Sequence, residues 1–422
     1  MSDAKRIWIV QSGEPLPIDP GTPKRMRAAL LSEQCGRRGY EVTWWTSGFD
    51  HYRKARRPVG RHRIEGPGWH YDIEVLPALG YQRHISLRRL RDHRNTAKSF
   101  RAIAATQPRP HIICAALPTL DLALASSVLA ERFGVPLVTD VRDLWPDIFY
   151  REVPAALRAL LRLALRPMER QADKACAGAA ALVGVCPEFL EWGLTRAHRR
   201  ERPADRVFPL ASDPIELSEA DNEIAERHWR DFGVSPGGPV VVFVGSFTKQ
   251  FSFEAVGNVI DAWNSTRPGV TFVLCGEGPL RQRMIDRLAS TSNVVFPGWT
   301  NAREASWLMR RSRVGLAPYR PNADFEANYG NKVIEYLGMG LPVVTSLERG
   351  PTPELLVDRS AGRSYRHDSA RSLDAALAPF IDDSAAQESA SKNALATFDA
   401  DFTADNVYGR YADLLATIAT GE

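Results

Sequence analysis

The chain has 422 residues, 44% hydrophobic and 25% charged, with a formal net charge of +4. That is ample material for two or three domains of an ordinary globular protein. No apolar run approaches the ~18 residues a membrane-spanning helix needs, and the apolar block Ile7-Trp8-Ile9-Val10 is too short for a signal peptide, so a cytoplasmic location is expected. The five cysteines form no Cys-x-x-Cys pair, and the nine histidines show no ligand spacing. Reduced thiols and no structural zinc are therefore expected. Charge is uneven. Residues 1–210 carry a net +12 and the remainder −8, which suggests that the first half meets an anionic surface, either nucleic acid or acidic lipid.

In chain order, residues 6–10 read as a buried strand. A loop follows, rich in Gly13, Pro15, Pro17, Pro20, Gly21 and Pro23. It is not a Gly-x-Gly-x-x-Gly turn, which argues against a dinucleotide-dependent dehydrogenase. Residues 24–38 are predicted helical and Glu41–Trp45 a second strand. This βαβ rhythm implies a doubly wound parallel sheet. Residues 51–67 are basic and rich in turn formers. Residues 83–101 carry seven basic side chains with an apolar stripe of Leu87, Leu90, Ala97 and Phe100. Such a helix either lies on a membrane surface or packs beside the sheet.

His111–Leu117 and Pro136–Val141 are further strands, with a helix over 119–133 between them. The second strand runs into Arg142-Asp143-Leu144-Trp145-Pro146-Asp147, just beyond a strand's carboxyl end, where α/β folds place their ligands. Asp143 could instead cap the following turn. Residues 154–174 are predicted helical, with Arg158, Arg162, Arg166 and Arg170 four apart and leucines beside them. Pro167 is expected to kink or divide this helix. It is a second candidate membrane face, or the outer face of a packed helix. Ala179–Val185 is a small-residue strand.

A polar segment, 214–238, ends in Ser235-Pro236-Gly237-Gly238. Val240–Val244 then opens a second sheet, followed by Gly245-Ser246-Phe247-Thr248-Lys249 and a helix from about Phe253 to Trp263. Thr271–Cys275 leads into Gly276-Glu277-Gly278-Pro279, and Asn293–Phe296 into Gly298-Trp299. Val314–Pro318 is another strand. Residues 328–346 then give a Gly330-Asn331 turn, a helix with Val333, Ile334, Leu337 and Leu341 at helical spacing, and a buried strand from Leu341 to Thr345. The first turn of that helix is an anion site by its N–H groups and dipole, with Lys332 at its mouth and Glu335 one turn in. The alternative is an ordinary helix whose acidic residue complements the dipole. Asp399-Ala400-Asp401, the only Asp-x-Asp, reads as a solvated start of the last helix, from about Asp405 to Ile418.

Lys332-x-x-Glu335-Tyr336, with the Gly340-Leu341-Pro342-Val343-Val344 turn after it, resembles the donor-binding motif of retaining GT-B glycosyltransferases, in particular glycosyltransferase family 4. Glu335 matches the second glutamate of that motif. Ala327 stands where the first belongs, with Glu326 one place earlier. Gly21 and Arg25 stand near that family's glycine loop and its arginine. Asp143 and Pro146 match its His-Asp-x-x-Pro motif, with Arg142 for the histidine. Ser246 takes the position of its diphosphate arginine, while Lys249 remains nearby.

The resemblance implies an α/β GT-B fold, two Rossmann-like doubly wound domains facing across a cleft. The expected domains are an acceptor-side domain over 1–213, a linker region over 214–238, a nucleotide-sugar domain over 239–395, and a C-terminal helix over 396–422 crossing back to the first. It implies retaining transfer from a UDP- or GDP-linked sugar to a saccharide or lipid-linked saccharide, in surface polysaccharide synthesis, with no cofactor and no metal. Glu335 would bind the ribose. Gly330, Asn331, Lys332 and Lys249 would hold the diphosphate beside Gly245 and Gly276, and Gly298 and Trp299 would meet the base. Arg142 and Asp143 would face the donor sugar or acceptor hydroxyl. An anionic membrane surface is a further candidate partner, at the inner membrane face. Two rival readings are a nucleotide-sugar epimerase of the same fold and a non-catalytic nucleic-acid-binding protein. The second is disfavoured because no aromatics interleave the arginines.

Overall fold

The computed structural model describes residues 5–21, 23–83, 86–151, 153–235 and 237–421. Residues 84–85 of the basic stretch and Pro236 of the polar segment lie outside them. The chain divides into two compact units, Met1–Pro209 with Ala404–Glu422, and Leu210–Thr403.

The first unit is built on a sheet ordered Arg206–Val207, Ala181–Gly184, Leu137–Val141, Ile112–Ala116, Arg6–Val10, Glu41–Ser47, Trp69–Leu76, Gly60–Gly66. All neighbours are parallel except the last pair, an antiparallel ribbon. Sequence reading saw only turn formers in 51–67. The Gly60–Gly66 edge strand alternates half-buried and exposed residues, so it has no apolar run to betray it. The strands read as buried do lie in the core: Ile7, Trp8, Ile9 and Val10 are each at most 3% exposed. Trp8, Trp45 and Phe100 meet edge to face at 5.0, 6.4 and 5.2 Å, arrangements that contribute about 0.5–1.5 kcal/mol each beyond area burial.

Helix Arg27–Arg37 follows the first strand, and helix Leu87–Ala104 is capped by Ser86, whose hydroxyl accepts the Arg89 N–H at 3.2 Å. Helix Leu120–Phe133 ends at Gly134 in the left-handed region, a conformation glycine adopts without strain. Pro167 lies inside one helix, Arg158–Ala177, and so does not divide it. The Ala404–Thr420 helix belongs to this unit. Its Tyr408 and Tyr411 face Arg27, whose guanidinium is fully buried, pairs with Asp140 at 2.8 and 2.9 Å, and donates to the Phe208 carbonyl.

The second unit holds a fully parallel sheet ordered Val294–Gly298, Thr271–Cys275, Val240–Val244, Val314–Ala317, Val343–Thr345, Gly362–Ser364. In chain order that is 3-2-1-4-5-6, the doubly wound order whose switch point falls between the first and fourth strands. Within the polar segment, helix Glu219–Asp231 carries a capping box on Ser218 and Asp221. It buries Trp229, whose indole N–H donates to the Glu304 carbonyl at 2.9 Å. Asp399 and Asp401 are at the end of helix Ser384–Asp401, not at the start of the last one. The run from Ser384 packs Ala390, Ala394 and Phe398 inward at helical spacing, which carries that helix through Asp401.

Candidate functional site

Three strand-end loops of the second unit are laced together by their backbones. Gly245 N–H donates to the Cys275 carbonyl at 3.0 Å, Gly276 N–H to the Gly298 carbonyl at 2.7 Å, and Phe247 N–H to the Glu277 carbonyl at 2.9 Å. Two positions demand glycine. Gly276 has φ +127° and an added Cβ would strike the Gly245 carbonyl; Gly278 has φ +150° and faces the Phe247 backbone. A left-handed backbone with a neighbouring main chain in van der Waals contact excludes any side chain. Gly298, at φ +84°, turns the chain so that Trp299 stands 71% exposed.

The helix Asn331–Gly338 points its first turn at the same strand ends, with Gly330 as its cap residue. The Lys332 ammonium donates to the Val244 carbonyl, at the end of the central strand, and lies 4.8 Å over the Phe243 ring and 5.0 Å over Phe251. It therefore sits at the sheet's switch point, held by a carbonyl and two aromatic faces. Tyr336, four residues on and on the same face of the helix as Lys332, anchors it further. Its hydroxyl accepts the Val244 N–H at 3.0 Å and donates to the Leu316 carbonyl at 3.2 Å, joining the two strands that flank the switch point. Tyr319 fills the remaining space beside Gly330, and its hydroxyl accepts the backbone N–H of Lys332. One N–H of the first turn is thus already taken, and the anion site is narrower than the sequence implied. Burial holds the Tyr319 hydroxyl well above its ordinary pKa, and the charge of Glu335 adds to this. Tyr319 is neutral at physiological pH.

Glu335 is half-buried one turn in from Lys332, and Asn331 is exposed at the helix start. Lys249 is exposed on the loop after Ser246; the structure brings Gly245 and Lys332 together but does not seat Lys249 with them. Glu326, the neighbour of Ala327, ends the short helix Ala323–Glu326, and its carbonyl lies against Gly350, which has φ +92°.

In the first unit, the corresponding strand ends bring Arg142 to Glu14, whose carboxylate also accepts the Ala28 N–H at 3.0 Å and the Gln11 amide at 3.3 Å. Glu14 is 3% exposed and occupies the N-terminus of the Arg27–Arg37 helix, so that helix end is filled by the chain's own carboxylate. Asp143 accepts the N–H of the next residue, Leu144, at 2.8 Å. Ser12 and Thr119 hydroxyls meet at 2.8 Å across the switch point of this sheet. Gly21 is exposed, and Arg25 is exposed and paired with Glu33 at 2.7 Å. Sequence reading missed Glu14, Tyr319 and the two phenylalanines. Only Tyr336 was visible, as the residue after Glu335 in the motif. A lone glutamate among prolines, and a tyrosine just past a strand, carry no spacing signal.

Two doubly wound Rossmann-like units in one chain, each with its strand ends furnished with polar groups, define the GT-B fold. Residues 238–383 match the family model described as "Glycosyl transferases group 1". The chain is 27% identical over 228 residues to a 2-deoxystreptamine glucosyltransferase of Streptomyces kanamyceticus, covering 52% of this chain and 55% of that protein. It thus spans about half the length of the curated relative it matches. Among solved structures, the sucrose-phosphate synthase of Thermosynechococcus elongatus superposes with a TM-score of 0.71 at 15% identity, over 99% of this chain and 100% of that one. Anabaena HepE in complex with UDP-glucose gives 0.62 at 16% identity, over 98% and 99%. At these identities the structural likeness speaks for the fold. No helix among the described residues is long and apolar enough to cross a membrane.

Proposed function

We propose that this chain is a glycosyltransferase that moves a sugar from a UDP- or GDP-linked donor to a saccharide or lipid-linked saccharide, with retention of anomeric configuration and without a metal. The observation that carries the reading is Lys332. Its ammonium is fixed at the switch point of the second sheet, beside a helix N-terminus, with Glu335 one turn along the same helix. As the bond from the anomeric carbon to the diphosphate breaks, negative charge grows on the leaving oxygen. A pre-placed cation and helix end meet that charge without having to reorganise. Glu335 suits two ribose hydroxyls better than a phosphate. Gly245 makes room for the Lys332 ammonium and Gly330 for the Tyr319 hydroxyl; the diphosphate is assigned to the loops that carry Gly245, Gly276 and Gly330, and the base to Gly298 and Trp299. Arg142 and Asp143 are assigned to the donor sugar or the acceptor hydroxyl.

The match to group 1 glycosyl transferases over 238–383 supports this reading, as does the name of the Streptomyces relative. Among the described residues no group of three or more His, Cys, Asp or Glu could hold a metal ion. The +12 charge of residues 1–210 suits an acceptor presented at an anionic membrane surface, and so surface polysaccharide synthesis. The test is release of free nucleoside diphosphate from a panel of UDP- and GDP-sugars, with lipid-linked saccharides, free saccharides and 2-deoxystreptamine as acceptors. Release only when acceptor is present, with the product anomer matching the donor by NMR, is expected. Interconversion of donor sugars without acceptor would instead identify an epimerase.

A further inference from the structure

The two basic helices singled out in the first unit fare differently. In Leu87–Ala104 the expected stripe splits: Ala97 and Phe100 are at most 5% exposed and belong to the core, Leu90 is half-buried, and Leu87 at the helix start is 84% exposed, a lone leucine rather than an apolar face. The helix Arg158–Ala177 is buried only in its second half, at Ala172, Ala175 and Cys176. Its first half leaves Leu160 68% and Leu163 67% exposed, and Leu157, in the turn leading into it, 53%. Leu160, Leu163, Ala164 and Pro167 recur at i, i+3, i+4 and i+7 and share one face. Arg158, Arg162 and Arg166 lie on the other side, and no acidic residue stands between Val153 and Met168.

We propose that residues 157–167 form an interfacial helix that docks the first unit on an anionic lipid surface. The leucines enter the acyl boundary and the arginines flank it at the headgroups. This rests on the reading of a membrane-presented acceptor and names the element that reaches the membrane. Leucines at this exposure are unfavourable in water, and arginines on the opposite side of the same helix turn suit phosphate headgroups. A second copy of the chain fits less well as the occupant, because pairing the leucine faces would leave the run of arginines, with no acidic residue between Val153 and Met168, without opposite charge to meet. Helix geometry and charge both match the interface of a bilayer rather than its interior, since the helix is amphipathic and not apolar all round.

The full chain would be sedimented with vesicles of neutral phosphatidylcholine, or of phosphatidylcholine mixed with phosphatidylglycerol. The expected result is partition onto the anionic vesicles that weakens as salt rises. Leu160→Glu/Leu163→Glu should lower that partition at least about tenfold with an unchanged circular dichroism spectrum. A Leu160→Trp variant should shift its emission to the blue only with anionic vesicles. The proposal is overturned if the wild type does not partition, if the glutamate variant partitions like the wild type, or if those leucines instead hold a concentration-dependent dimer. Vesicle binding is read without donor or acceptor. A chain that binds vesicles but transfers no sugar would therefore refute the activity and leave this surface standing.

Discussion

Gly245 makes room for the ammonium of Lys332: a Cβ on Gly245 would overlap Lys332 Nζ. The backbone of Gly245 is not in the left-handed region, so alanine fits the main chain and strains only the lysine's seat. Gly245→Ala should therefore imitate the loss of Lys332 while the protein stays folded. Lys332→Ala is expected to lower turnover about 10² to 10³-fold, the usual effect of removing a donor aimed at transition-state charge. Gly245→Ala should cost a large part of the same factor. Both should lower turnover more than they weaken donor binding. Lys249→Ala, on an exposed loop, should do less. Near-normal turnover of Lys332→Ala in a direct transfer assay would remove the diphosphate site.

Glu335 shares its helix with Lys332 but faces a different task. Glu335→Ala should weaken donor binding in calorimetry by about 1.5–3 kcal/mol, the range for a lost hydrogen bond to a charged group. The thermal transition of the free protein should barely move, because the side chain is only half-buried. Unchanged donor affinity would remove the ribose assignment.

Activity should survive excess chelator. The diphosphate charge is assigned to Lys332 and a helix N-terminus, which need no ion to act. Loss of turnover with chelator and its rescue by magnesium or manganese would show that a metal does that work.

The sheets were legible in the sequence because their strands are buried on both faces and read as apolar runs, as at Ile7–Val10 and Val240–Val244. The edge strand Gly60–Gly66 was not, because one side faces solvent and arginines fill it. At the site, the Lys332 to Glu335 spacing was visible because a helix turns spacing into position. What seats Lys332 was not. Phe243 comes from a strand, Phe251 from a loop and Tyr319 from a strand end, and only the tertiary fold brings them to one point. The two arginines near the loop could not be told apart in the sequence for a similar reason. Arg25 stands in the motif's place yet is exposed, while Arg27, two residues on, turns inward to Asp140.

That inward turn gives a stability prediction. Arg27 is 2% exposed, paired in bidentate fashion with Asp140 and stacked near Tyr408 and Tyr411 of the last helix. Arg27→Met strands a buried carboxylate and should destabilise the protein by about 3–5 kcal/mol. Adding Asp140→Leu should recover part of this, since the uncompensated charge is then gone. Equal losses in the single and double variants, by urea denaturation, would show that packing and not the charge pair dominates.

A last prediction concerns acid. His93 is 9% exposed on the Leu87–Ala104 helix, packed 6.2 Å from Trp145 and 6.4 Å from Tyr81. Its Nε2 accepts from Arg89 Nε at 3.4 Å, which a protonated ring could not do. Burial, then the charges of Arg89 and His51, pull its pKa down to about 3 in the folded state. In the unfolded chain the ring titrates near 6.5. Between those two values the unfolded state binds a proton that the folded state refuses, so stability falls as pH falls, by up to about 1.4 kcal/mol per pH unit from this group. Above about pH 6.5 both states hold a neutral ring, and the contribution is flat. His93→Gln keeps a neutral polar side chain and removes the titration. Its stability should fall less steeply than the wild type's from about pH 6.5 to about pH 5, measured by urea denaturation at a series of pH values. Parallel pH profiles for the two proteins would mean that other groups, and not His93, set the acid limb.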